Sequence, residues 1–264
     1  MTRMPTYFIS HGGGPWPWID DMRKGFAELE KSLAAMPGEL PETPKAILMV
    51  SGHWESDTVR VMTSAKPPME YDYYGFPPHT YQITYPAPGA PDLASRTAEM
   101  IRAAGFEVTL DDKQGFDHGT FVPAYIMYPD AEVPVYQVSL LSNYSPEQHF
   151  AIGRALAPLR DEGVLIVGSG LSYHNLRNFG PQARTPSMAF DKWLTDTLDA
   201  APADRTPALE GWESAPYARV CHAQEDHLVP LFVALGAAED ATATKTYYEH
   251  GIFGGVTASS WRFD

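Results

Sequence analysis

The chain has 264 residues, 44% of them hydrophobic and 20% charged, with a formal charge of −14. This composition excludes a disordered chain, and the acidic balance excludes nucleic acid and an anionic membrane surface as partners, since both need a basic face. A lone cysteine, Cys221, excludes an intrachain disulfide. No signal-like N-terminus and no apolar run of membrane-spanning length is present, so a cytoplasmic protein is expected. A chain of this length can bury one sizeable core, and a single catalytic domain over residues 1–264 is expected.

In chain order, Thr6 to Ile9 reads as a buried strand, and Phe26 to Met36 has helical spacing that Pro37-Gly38 should end. Ala46 to Val50 is a second buried strand. Lys66 to Pro91 is rich in proline and reads as a long functional loop. Asp92 to Ala104 is a helix, stopped by Gly105. Val133 to Leu141 reads as a strand, Ser145 as the N-cap of a helix to about Arg160, and Val164 to Val167 as a further strand. Phe190 to Leu198 and His227 to Leu235 read as helices, with Pro202 to Pro216 irregular between them. Strands alternating with helices predict an α/β fold: one domain with a central, mostly parallel sheet flanked by helices.

The nine histidines carry the functional signal. His11, His53 and His174 each follow a predicted strand and stand among small residues. In open α/β sheets that carboxyl edge is where ligands bind. His118 sits at a turn before an apolar helix, and His222 and His227 flank the start of the last long helix. Imidazole is the commonest ligand for Zn, Fe and Cu, so converging histidines with open coordination positions would make a catalytic metal site. A lone histidine near a strand end is more often a hydrogen-bonded structural residue, and no local zinc motif is present. Convergence must therefore come from the fold. His79, His149 and His250 read as solvent-facing or structural, and Cys221 as a small buried hydrophobe. Trp16, Trp18, Tyr71, Tyr73, Tyr74 and Phe76 fit an aromatic pocket or ordinary packing equally well.

Several ordered motifs resemble the DOPA-type, LigB-like extradiol ring-cleaving dioxygenases along the whole chain. They are Phe8-Ile9-Ser10-His11-Gly12, Val50-Ser51-Gly52-His53-Trp54, Asp72-Tyr73-Tyr74-Gly75-Phe76-Pro77, Asp117-His118-Gly119, His174-Asn175-Leu176, and His222 through His227-Leu228-Val229-Pro230. The resemblance implies a non-haem Fe(II) at the carboxyl edge of the sheet, held by His11, His53 and His227. His227 stands nine residues before Gly236-Ala237, where related enzymes place a glutamate. Glu225 and Asp226 are fallback ligands. His174 is implied as the catalytic histidine, able to reach the metal without substrate, and His118 as a second residue contacting substrate. The implied substrates are O2 and a small aromatic diol such as DOPA, a caffeate-like acid or a lignin-derived catechol, opened to a semialdehyde. All-histidine ligation leaves zinc as a second candidate metal in the purified protein, and with it a zinc-dependent hydrolase or a non-catalytic metal-binding protein as rival readings. Gly12-Gly13-Gly14, where many members have Gly-Ser-Pro, and Tyr74, where many have Gly, leave the substrate open. Assembly into a homo-oligomer is also left open.

Overall fold

The computed structural model describes residues 2–264. Its core is a six-stranded sheet. β1 (Thr6–Ser10) and β2 (Ala46–Ser51) are buried along their whole length, as their unbroken apolar runs predict. After β2 come two short strands, β3 (Glu55–Ser56) and β4 (Val59–Met62), then β5 (Val108–Asp111), β6 (Val135–Gln137), β7 (Leu140–Leu141) and the long, fully buried β8 (Val164–Gly170). A C-terminal hairpin, β9 (Ala243–Ile252) and β10 (Val256–Phe263), completes the set. The sheet order is β6-β2-β8-β1-β10-β9. Its first four strands run parallel, and the hairpin adds two antiparallel strands at the other edge. The sheet is therefore mixed, with a parallel majority. β4 pairs with β5, and β3 with β7, outside it.

The predicted strand over Val133 to Leu141 is two strands because its halves pair differently. β6 adds to β2 in the main sheet, while β7 leaves to pair with β3. The hairpin was not foreseen, since β9 alternates exposed and partly buried residues and carries no apolar run.

The helices are α1 (Asp20–Gly25), α2 (Ala27–Glu39), α3 (Pro91–Ala103), α4 (His118–Met127), α5 (Pro146–Leu156), α6 (Arg184–Leu198), α7 (Pro202–Glu210), α8 (Ala218–Cys221) and α9 (Val229–Gly236). α2 runs through Pro37 to Glu39, keeping Leu29, Leu33 and Met36 on one buried face. Residues 202–210, read as irregular, are helical: Pro202 occupies the first turn, where its missing N–H costs nothing. The buried Arg205 then ties that helix to the carbonyls of Leu198 and Ala241. No helix among the described residues is long and apolar enough to cross a membrane.

α9 is buried all round and lies on β8. Two glycines on one face of β8 allow it. A Cβ on Gly168 would stand 2.2 Å from the Pro230 carbonyl oxygen, and one on Gly170 would stand 2.1 Å from that of His227. Leu171 N–H also donates to the His227 carbonyl at 3.0 Å. Ser169, pointing to the opposite face, donates to the Gly119 carbonyl of α4 at 2.5 Å. β8 is thus gripped from both faces at the level where its chain ends.

Two histidines are structural, as the local context of His149 predicts. Ser145 caps α5 through Gln148 N–H at 3.3 Å. His149 donates from Nδ1 to the Ser145 carbonyl at 2.7 Å and accepts Leu141 N–H on Nε2 at 3.0 Å, which fixes the neutral tautomer. Burial lowers its pKa to about 4. His222, buried against Phe190 and Trp212, donates to the Ser172 carbonyl at 3.1 Å and is lowered by burial to about 3. Both folded values lie below the unfolded value of about 6.5. Their stability contribution is therefore complete above pH 6.5 and is lost as pH falls towards the folded values. Urea unfolding should show each costing about 1–2 kcal/mol by pH 5. A midpoint unchanged between pH 7 and 5 would show that these rings are not held neutral.

Candidate metal centre

His11 leaves the end of β1, His53 stands two residues beyond β2, His118 opens α4, and His227 precedes α9 by two residues. The fold brings all four together. From the His11 ring, the centroids of His53, His118 and His227 lie at 5.0, 5.2 and 5.1 Å. His53 and His227 are 4.6 Å apart, and His174, following β8, stacks on His227 at 3.5 Å. The ligand nitrogens of His11, His53 and His118 all lie within 4.8 Å of one another, and so do the ligand atoms of His174, Asp226 and His227.

Backbone contacts hold these rings in place. His11 N–H donates to the Gly170 carbonyl at 3.2 Å, and its own carbonyl accepts the Trp16 indole N–H at 2.9 Å. Asp117 caps α4 and accepts Ser51 Oγ–H at 2.7 Å, which locks His118 beside β2. Burial, followed by the charge of Asp72, pushes the Asp117 carboxyl up to about 7. His174 N–H donates to the Cys221 carbonyl at 3.0 Å, forming a short bridge of extended chain with His222. His222 thus supports the His174 segment and lies outside the cluster. Glu225 also lies outside it, bound to Arg219 at 2.5 Å. Cys221 is buried, its thiol raised by burial to about 12.

Two carboxylates that sequence reading did not assign to this role orient the imidazoles. Asp72 Oδ2 lies 3.2 Å from His53 Nδ1 and 2.9 Å from His118 Nδ1, and Asp72 Oδ1 accepts His118 N–H at 2.9 Å. Asp226 Oδ2 accepts from His227 Nδ1 at 2.7 Å, with Asp226 Oδ1 3.7 Å from His174 Nδ1. Burial alone would raise the Asp226 carboxyl, but the nearby His174 ring and the hydrogen bond from His227 overcome it and hold it well below the usual range.

The donor set fits a divalent metal. His227 Nδ1–H is held by Asp226, His53 Nδ1 lies 3.2 Å from Asp72 Oδ2, and the two rings face each other through Nε2 at 3.1 Å. A metal ion replacing that contact would be met by two imidazole nitrogens at once. His11 is 1% exposed, and both of its ring nitrogens lack a hydrogen-bond partner. A buried polar atom without a partner is costly, and a metal bond removes that cost. Burial, then the neighbouring histidines, drives the pKa of His11 well below 6.5, so it is a neutral donor. Carboxylates behind ligating imidazoles set tautomer and basicity, and their loss typically costs 10–100-fold in metal affinity. Asp226→Asn is expected to lose about that much, measured by competition with a chelator. Unchanged affinity would remove Asp226 from this role.

Above the cluster lies a cavity of about 680 Å³. Tyr73, Tyr74 and Phe76 help to line it, whereas Trp16 is buried under it and Trp18 packs on Phe121 and Tyr125.

An α/β sheet with histidines massed at its carboxyl edge, under an open cavity, is the arrangement implied for ring-opening dioxygenases. Residues 4–263 match the family described as the catalytic LigB subunit of aromatic ring-opening dioxygenase, and the chain belongs to that family of extradiol enzymes. Among individual relatives, it is 37% identical to the 4,5-DOPA dioxygenase extradiol of Beta vulgaris, covering 98% of this chain and 96% of the relative. It is likewise 37% identical to dioxygenase tasH of Hapsidospora irregularis, over 93% and 82% of the two chains. The crystal structure of an uncharacterized Escherichia coli K12 protein superposes with a TM-score of 0.80 at 30% identity, covering 99% of this chain and all of that one.

Proposed function

We propose that this protein is an Fe(II)-dependent extradiol dioxygenase that opens a catechol to a semialdehyde, with His11, His53 and His227 holding the metal. The observation that carries the ligand set is the pair of His53 and His227 Nε2 atoms turned to each other 3.1 Å apart, beside a buried His11 ring whose nitrogens have no partner. His118 is the rival third ligand by distance, its ligand nitrogen lying within 4.8 Å of those of His11 and His53, and the close Nε2 pair favours His227 over it. In the reaction both oxygen atoms enter the product. The carbon–carbon bond beside the diol breaks, and its two ends become a carboxylate and an aldehyde or ketone. When bound, Fe(II) supplies open coordination positions and the electron transfer to O2 that zinc lacks.

The remaining work falls to the chain. His174, stacked on His227, is placed to take a phenolic proton from the diol and to return it as the ring opens. His118, held through Nδ1 by Asp72, keeps its Nε2 free to contact the substrate. Phe76 and the other apolar cavity walls exclude water from the reacting ring.

Oxygen uptake by anaerobically Fe(II)-reconstituted protein, given a panel of substituted catechols, tests the reading. One O2 consumed per diol, with a new visible absorbance seen only with iron, is expected. Equal turnover by zinc-loaded protein without oxygen would replace the reading with a zinc hydrolase. No reaction with any diol, from protein holding one metal, would sink it.

A further inference from the structure

We propose that the cavity selects catechols whose ring substituent is uncharged and apolar, and rejects those that carry a carboxylate. This rests on the dioxygenase reading for the diol end of the substrate, and on the cavity wall for the rest. At 680 Å³ the space is of the size that encloses drug-sized ligands, so a bare catechol over the histidines leaves most of it for a substituent. The wall that the substituent meets is built from Phe26, Phe76, Leu171, Phe179, Ile252 and Phe253. Among the described residues no lysine or arginine lines the cavity, and the carboxylate it does contain is Asp72.

Two of the three tyrosine hydroxyls in the lining are also spent, and the third, on Tyr74, stands at the exposed mouth. Tyr73 donates to the Thr80 carbonyl at 2.6 Å, and Tyr173 donates to the Asn178 carbonyl at 2.7 Å. A substrate carboxylate lying along this wall would lose water and gain no side-chain cation, which is costly. The chain's charge of −14 adds long-range repulsion. The Tyr74 hydroxyl and the backbone amides of Gly12 to Gly14 are the other donors nearby, and the carboxylated arm of the experiment tests them.

The mouth extends the same chemistry. Tyr74, Leu176 and Phe253 are 91%, 73% and 54% exposed, on three separate segments around the opening. Phe253 sits at the tip of the β9–β10 hairpin at φ 50°, a left-handed conformation that is strained for a bulky side chain. Its ring is held edge-on between Phe26 and Phe179, with centroids 5.6 Å from each. A strained aromatic kept in a cavity wall marks a position that shapes the ligand.

The test compares pentylcatechol with the catechol of equal chain length that ends in a carboxylate. Equilibrium titration uses the zinc-loaded protein, which binds without turnover, and kcat/KM is measured on the iron-loaded protein. The neutral compound is expected to bind at least about tenfold more tightly, with kcat/KM favouring it by a similar factor. Leu176→Arg, a change at an exposed rim position, should reduce or invert that preference. Phe253→Ala should weaken the pentyl compound more than bare catechol. Equal or tighter binding of the carboxylate by the wild type, or no binding of either, overturns the proposal. The neutral preference in binding with no turnover of any diol keeps this proposal and removes the dioxygenase reading. Turnover that favours the carboxylate does the reverse.

Discussion

Replacing His227 by alanine is expected to strip the protein of its metal and lower kcat/KM by more than about a thousandfold, well beyond the 10–100-fold cost of losing an outer partner. The reasoning is geometric. His227 Nε2 faces His53 Nε2 at 3.1 Å, and its Nδ1 is fixed by Asp226 at 2.7 Å, so the ring cannot turn away to satisfy itself elsewhere. Removing it leaves Asp226, whose Oδ1 already lacks a partner in a buried position, without its principal hydrogen-bond donor. Metal content by elemental analysis, with circular dichroism to confirm folding, separates ligand loss from unfolding. His118→Ala is the matched control, because His118 is the rival third ligand by distance. If His118→Ala loses the metal and His227→Ala keeps it, the ligand set is His11, His53 and His118.

His174→Ala is expected to give the complementary result: one metal retained, and kcat lowered by about 10²–10⁴, the usual worth of a positioned acid–base group. His174 stands over His227 at 3.5 Å and reaches Asp226 only at 3.7 Å, so it is less tightly tied than the ring beneath it. That looseness suits a group that must meet a substrate proton and give it back. Anaerobic titration with a catechol should still show binding, and single-turnover kinetics should place the loss in the chemical step. An unchanged kcat would remove His174 from the mechanism, and loss of the metal would make it a ligand.

The sequence announced the parallel half of the sheet clearly. β1, β2 and β8 are covered on both faces, and burial on both faces demands the continuous apolar runs by which they were recognised. The hairpin at the other edge has one partly exposed strand and one of small hydroxylic and aromatic residues, so periodicity had little to act on. The site divides in the same way. His11, His53 and His174 stand out because each follows a legible strand beside small residues. His227 precedes a helix, and only the order of motifs singled it out. Asp72 stands inside one of the motifs and Asp226 is legible as a fallback ligand, but the orienting role of neither is, since no local pattern distinguishes a carboxylate behind an imidazole from one on the surface. Their place within the motifs, beside Tyr73 and His227, is the available signal. The glycines of β8 were visible as a small-residue run, but their role was not, because it depends on a carbonyl oxygen contributed nearly sixty residues later.

The β9–β10 hairpin divides labour within the molecule. Its strands complete the sheet, and its tip, from Gly251 to Gly255, supplies part of the cavity wall while contributing none of the clustered histidines. Length and sequence at that tip can therefore change without moving any of the clustered histidines. One histidine cluster can in this way be paired with different cavity walls, with the turn acting as an exchangeable selector.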